Sequence, residues 1–146
     1  MTQHMKPESF EEFARLLMKK NEVYNPLLLP PPPLSRIRTK QKVYEMLADP
    51  NVWTQHSQKV FHRGLNRWVY CMLGALMQKH GSHNTNNNSK EFNKDLVALA
   101  NAIRKTFDGQ TLADNRYSPA QVITAWNDMA HRDHKEVIEV LMVANV

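Results

Sequence analysis

The chain has 146 residues, 42% of them hydrophobic and 23% charged, with a formal net charge of +5 and a sequence pI near 9.4. That length suits one domain with a core of its own, and the composition is ordinary for a soluble globular protein. A single cysteine, Cys71, excludes an internal disulfide and suits a reducing compartment, while no apolar run approaches the roughly 20 residues that span a bilayer.

No signal core is read near the N-terminus, so a cytoplasmic protein without membrane contact is expected. The charge is uneven. Residues 1–80 hold 12 Lys/Arg against 6 Asp/Glu, and residues 81–146 hold 7 against 8. A basic first half points to an acidic partner, either nucleic acid or a protein surface. Solvated lysines on helix backs are the alternative.

In chain order, residues 1–8 read as a tail. Ser9 with Glu12 forms a capping-box pattern, and Phe10, Phe13, Leu16 and Leu17 follow at helical spacing, so 9–20 is an expected amphipathic helix. Pro26 and Pro30, Pro31, Pro32 and Pro33 then impose an extended arm, either a stiff spacer or a ligand for an aromatic groove. Residues 1–34 are therefore set apart from a helical domain over 35–146. The stretch 35–48 predicts a helix ending at Asp49-Pro50. Its Arg36, Arg38, Lys40 and Lys42 have no acid among them; on a helix they spread around the surface, on an extended segment they share one side.

Residues 51–61 read as a loop or a short strand. "LNRWVYCMLGALMQKHG", 65–81, is strongly apolar and reads as the central buried helix, closed by Gly81. A polar loop, 81–89, leads to a helix over about 89–107, with Phe92, Leu96, Val97, Leu99, Ala100, Ile103 and Phe107 on its core side. A turn region, 108–117, precedes Ser118-Pro119-Ala120-Gln121, a helix start with a capping Ser and Pro at the first position. That helix runs to about Asp128. Asp133 with Glu136 caps a last helix over about 134–144. The expected fold is mainly α: a compact orthogonal bundle of about five helices around the Cys71 helix.

Candidate chemistry is sparse. A nucleophilic Cys71 needs a depressed pKa and some exposure, whereas two turns inside an apolar helix is the place of an inert thiol. A Cys71–His131–Asn127 hydrolase has the residue types of one known triad and stands as the third reading. The histidines (His4, His56, His62, His80, His83, His131, His134) fit no zinc spacing, so neither metal nor cofactor is expected. Asn127, Asp128, His131 and His134 form a possible polar site, or else a turn that satisfies free backbone groups. No phosphate loop or hydrolase elbow is present.

The segments Trp53-Thr54-Gln55, Cys71-Met72-Leu73-Gly74-Ala75-Leu76, Trp126-Asn127-Asp128 and His134-Lys135-Glu136-Val137 occur in this order. In them the chain resembles an uncharacterised family of small actinobacterial and bacteriophage proteins, over roughly residues 40–144. The resemblance implies one helical domain and a bacterial or phage setting, and carries no activity. Residues 1–34 have no counterpart in it. The leading expectation is a non-enzymatic interaction protein that binds a bacterial or phage protein, or a nucleoprotein, through Pro30–Pro33 and the basic residues Arg36, Arg38, Lys40 and Lys42. Direct nucleic-acid binding is the alternative.

Overall fold

A computed structural model describes residues 29–81 and 89–146. The chain divides into two units, Met1–Pro33 and Leu34–Val146. The helix expected over 9–20 and residues 82–88 of the polar loop lie outside the described residues. Residues 29–33 form no helix or strand.

The second unit opens with a departure from expectation. Residues 35–42 are not helical, and only Val43–Met46 forms a helix, α1. The reason is local competition for backbone donors. Ser35 Oγ accepts from the Ile37 N–H at 3.1 Å, and Thr39 Oγ1 accepts from the Gln41 N–H at 3.2 Å. Both bonds offer the chain an alternative to a helical turn. The Thr39 N–H is also taken, at 2.8 Å, by the Lys79 carbonyl. Helix begins only where Glu45 accepts from the Lys42 N–H at 2.8 Å. The stop at Asp49-Pro50 is as read: Asp49 caps a 3-10 turn, Pro50–Val52, through the Asn51 N–H.

A hairpin follows. Strand β1 (Lys59–His62) pairs antiparallel with β2 (Arg67–Tyr70), placing Val60 opposite Val69 and Phe61 opposite Trp68. The single helix expected over 65–81 is thus a strand followed by a helix, α2 (Met72–Lys79). A short apolar run has no period that separates a strand from a buried helix. The aromatic and β-branched residues of Trp68-Val69-Tyr70 were the strand signal within it.

The remaining helices start where their caps lie. Ser89 Oγ accepts from the Phe92 N–H at 3.3 Å and opens α3 (Lys90–Arg104). Ser118 and Gln121 close a reciprocal box at the head of α4 (Pro119–Asn127). Asp133 and Glu136 do the same for α5 (His134–Ala144), at 2.9 and 3.1 Å. Each such cap contributes roughly 1 kcal/mol. A second 3-10 turn, Asp108–Leu112, lies inside the expected turn region.

Among the described residues the fold is therefore five α-helices with one two-stranded antiparallel sheet. Helix α3 packs against α4 and α5, and α2 against α4. Leu73, Leu76, Phe92, Leu99, Ile103, Ile123, Trp126 and Leu141 are buried in one cluster. Burying a side chain of that size contributes about 1.5–3 kcal/mol. No helix among the described residues is long and apolar enough to cross a membrane.

Candidate functional site

Two polar assemblies sit at the C-terminal end of α4. The first is built on Asn127, which is fully buried. Its Oδ1 accepts from the Trp53 indole N–H at 2.8 Å and from the Met72 N–H at 3.1 Å. Its Nδ2 donates to the Thr54 carbonyl at 3.1 Å and to Asp128 Oδ1 at 2.9 Å. Two accepted and two donated bonds fill the capacity of a carboxamide. Gln55 Nε2 adds bonds to the carbonyls of Asn127 and Met129, both 2.9 Å, and Asp128 Oδ1 also accepts from the His56 N–H at 2.9 Å. The Met72 N–H is one of the free donors at the start of α2, which a helix cannot pair internally. The Thr54 N–H meets the Tyr70 carbonyl at 2.9 Å and lays this segment along β2. Asn127 therefore joins three chain segments and has no polar atom left for a substrate.

Cys71 belongs to the same junction. It is the N-cap of α2 rather than an interior residue, because the run before it is a strand. A helix N-terminus ordinarily favours a thiolate. Here burial pushes the thiol pKa up, against bonds from the Gly74 and Leu73 N–H groups that favour the anion, and the Asp128 carboxylate adds to the rise. Sγ accepts from the Gly74 N–H at 3.3 Å, and the residue is 3% exposed. Gly74 is required: a Cβ there would lie 1.7 Å from the Gln58 carbonyl oxygen.

The second assembly centres on Asp108, a residue the sequence reading passed over as part of a turn. Oδ1 accepts from the Trp126 indole N–H at 2.9 Å. Oδ2 meets His131 Nε2 at 2.8 Å and Arg132 Nη2 at 2.7 Å. Burial pushes the Asp108 carboxyl up, but bonds from His131, Trp126 and Arg132, with the Arg132 charge, outweigh it and hold the group well below the usual carboxylate range. The Arg132 side chain is wholly buried, its guanidinium 3.5 Å from the Trp126 ring centre. Its Nε donates to the Trp126 carbonyl at 2.9 Å. Nη1 lies 3.2 Å from Glu136 Oε2, out of line for a hydrogen bond. Within the string His131-Arg132-Asp133 it is the arginine that orders the cluster, through Asp108 and Trp126.

His134 hydrogen-bonds to neither assembly and touches the first only through the Trp53 ring. Its Nε2 meets the Leu47 carbonyl at 2.6 Å, and its ring packs on Trp53 at 6.3 Å. Cys71, His131 and Asn127 each bond different partners, so no hydrogen-bonded relay links them. Among the described residues no group of three His, Cys, Asp or Glu is placed to hold a metal. His4 and His83 lie outside them.

Beside Asp108 opens a groove of about 810 Å³, lined by Ala102, Lys105, Phe107, Trp126, Val140, Val143 and others. Phe107, expected on the core side of its helix, is 92% exposed. The helix ends at Arg104, so the helical phase is lost before position 107. The chain then turns close against it, since a Cβ on Gly109 would lie 1.8 Å from the Ile103 carbonyl oxygen. Val97, also expected inside, is 46% exposed, one step off the stripe of Leu96, Leu99, Ala100 and Ile103.

The basic residues stand on the non-helical segment 35–42. Arg38 pairs with Glu91 at 2.8 Å and donates to Ser89 Oγ at 3.0 Å. The Arg38 bond, with those from the Glu91 N–H and Ser89, holds the Glu91 carboxyl below its ordinary pKa. Lys42 Nζ donates to the Asn145 carbonyl at 3.1 Å. Arg36 and Lys40 are exposed. The segment is strapped to the end of α2 by the Thr39–Lys79 bond and by Gln78 Nε2, which donates to the Ser35 carbonyl at 3.0 Å.

A model described as a family of unknown function (DUF6197) matches residues 32–145. The chain belongs to that family. The family match takes in every element from α1 to α5, and with them both polar assemblies and the groove. No curated protein and no solved structure gives a significant match.

Proposed function

We propose that this member of the family is a non-enzymatic interaction protein of a bacterium or its bacteriophage, acting in the cytoplasm. Its partner is an acidic protein or nucleoprotein surface, and it takes no cofactor. The observation that carries this reading is the strap 35–42. It is held to α2 by backbone and side-chain bonds, yet its Arg36 and Lys40 remain exposed with no acid beside them in sequence. A fixed backbone carrying solvated cations steers an oppositely charged partner and sets its orientation. The polar groups that could do chemistry are committed elsewhere: Asn127 has no free atom, and Cys71 is a buried cap.

The test is capture from host lysate by the full chain, by Arg36→Glu/Lys40→Glu, and by a chain lacking residues 1–33. The charge reversal is expected to lower recovery of a stoichiometric partner by about tenfold or more, a change of roughly 1.4 kcal/mol in affinity. Partner recovery that ignores the reversal sinks the assignment to the strap, and recovery that ignores the deletion removes Pro30–Pro33 from it. Direct nucleic-acid binding through the same cations is the second reading. It is favoured by the exposure of Arg63 and Arg67 in addition to Arg36 and Lys40. A mobility shift at low salt that falls steeply with salt would select it.

A further inference from the structure

We infer that the groove beside Phe107 is a self-association face, filled by Phe107 of a second copy of this chain. The inference is independent of the strap and its partner. Phe107 is both a knob and part of two hollows. It projects at 92% exposure, and it borders both the 810 Å³ groove lined by Ala102, Val140 and Val143 and a hollow of about 570 Å³ lined by Met129. A projecting aromatic ring beside an apolar hollow on one face is the shape that a two-fold pair requires, since each copy must offer what the other needs. Val143, 75% exposed, extends the same apolar face.

The charges select the occupant. Glu136 accepts from the Asp133 N–H and lies beside Arg132, while Asp108 and His131 are paired with each other. That leaves Lys105 and Glu139 on the groove, and neither side chain has an ion pair or hydrogen bond among the described residues. A uniformly acidic or basic partner would match one and oppose the other. A second copy related by a two-fold axis matches both, with each Lys105 meeting the Glu139 of its mate.

Sedimentation equilibrium of the full chain tests this. A mass of twice 17.0 kDa is expected as concentration rises. Phe107→Ser should weaken association about tenfold or more, with an unchanged melting curve in dilute solution where both chains are monomeric. Lys105→Glu and Glu139→Lys should each weaken it alone, whereas their equimolar mixture should restore the wild-type level, because the mixed pair recovers both attractive contacts. A chain that stays monomeric at millimolar concentration overturns the inference. So does association that Phe107→Ser leaves undiminished, or a mixture that associates no better than the single variants.

Discussion

Trp126 and Asn127 are sequence neighbours at the end of one helix, yet they lead to opposite kinds of surface. Asn127 turns toward the start of α2 and places every polar atom it owns in a bond. Trp126 turns toward Asp108 and floors a groove whose lip, Phe107, is almost wholly in water. The first region is rich in the residue types of active sites and is consumed by the fold. The second also pairs its Asp108, His131 and Arg132 within the fold, but beside them it leaves apolar surface that no described residue covers. Residue type is thus a poor guide to a working surface here; what a group is already bonded to decides more.

The contrast predicts a descending series of effects. Asn127→Ala should be the most damaging. It strands the half-buried Trp53 indole N–H and the buried Met72 N–H, at about 1–3 kcal/mol for each unpaired donor, so a loss of roughly 2–5 kcal/mol is expected in urea unfolding. A loss below about 1 kcal/mol would show that water or another group replaces the amide, and the region would have to be reconsidered as a site.

Asp108→Asn comes next. It keeps an acceptor for Trp126 but removes the charge facing the buried Arg132, which costs several kcal/mol when a buried pair is broken; with Glu136 still nearby, about 2–3 kcal/mol is expected. The pH dependence follows from the depressed carboxyl. A group whose folded pKa lies below its unfolded value, about 3.9 for Asp, contributes stability that is complete above that value. The contribution is lost as pH falls through the folded pKa. The gap between wild type and Asp108→Asn should therefore be constant near neutrality and begin to close below about pH 4. A gap that closes well above pH 4 would show that the Asp108 carboxyl is not the group responsible.

Phe107→Ser should be the mildest, within about 0.5 kcal/mol of wild type for the monomer, as for any surface change. A larger loss in dilute thermal unfolding would mean that Phe107 packs within its own chain, and the contrast between the two regions would fail.

What could be read from the sequence was local. Ser89, Ser118 with Gln121, and Asp133 with Glu136 bond within three residues of themselves, so the starts of α3, α4 and α5 are written in short strings. Where long-range contacts decide, the reading failed. Residues 35–42 have helical composition, but Thr39 is held by Lys79, forty residues away. Trp68-Val69-Tyr70 becomes a strand because β1 and residue Thr54 pair with it. The order of the four motif segments carries no sign that Trp53, Gln55, Met72 and Asn127 meet. The role of Asp108 is not local: apart from Thr106, its partners Trp126, His131 and Arg132 come at least 18 residues later.

The two indole bonds give the molecule its own optical reporter. Trp53 donates to Asn127 and Trp126 donates to Asp108, so two of the three tryptophans are wired to the two polar assemblies, while Trp68 stands on the hairpin. Emission from Trp53 tracks the closure of a junction whose ends are 74 residues apart, and emission from Trp126 tracks one spanning 18. Contacts of such different reach form at different stages of folding. Replacing Trp53 or Trp126 singly by Phe would separate the two signals, and with them the order in which the halves of this domain come together.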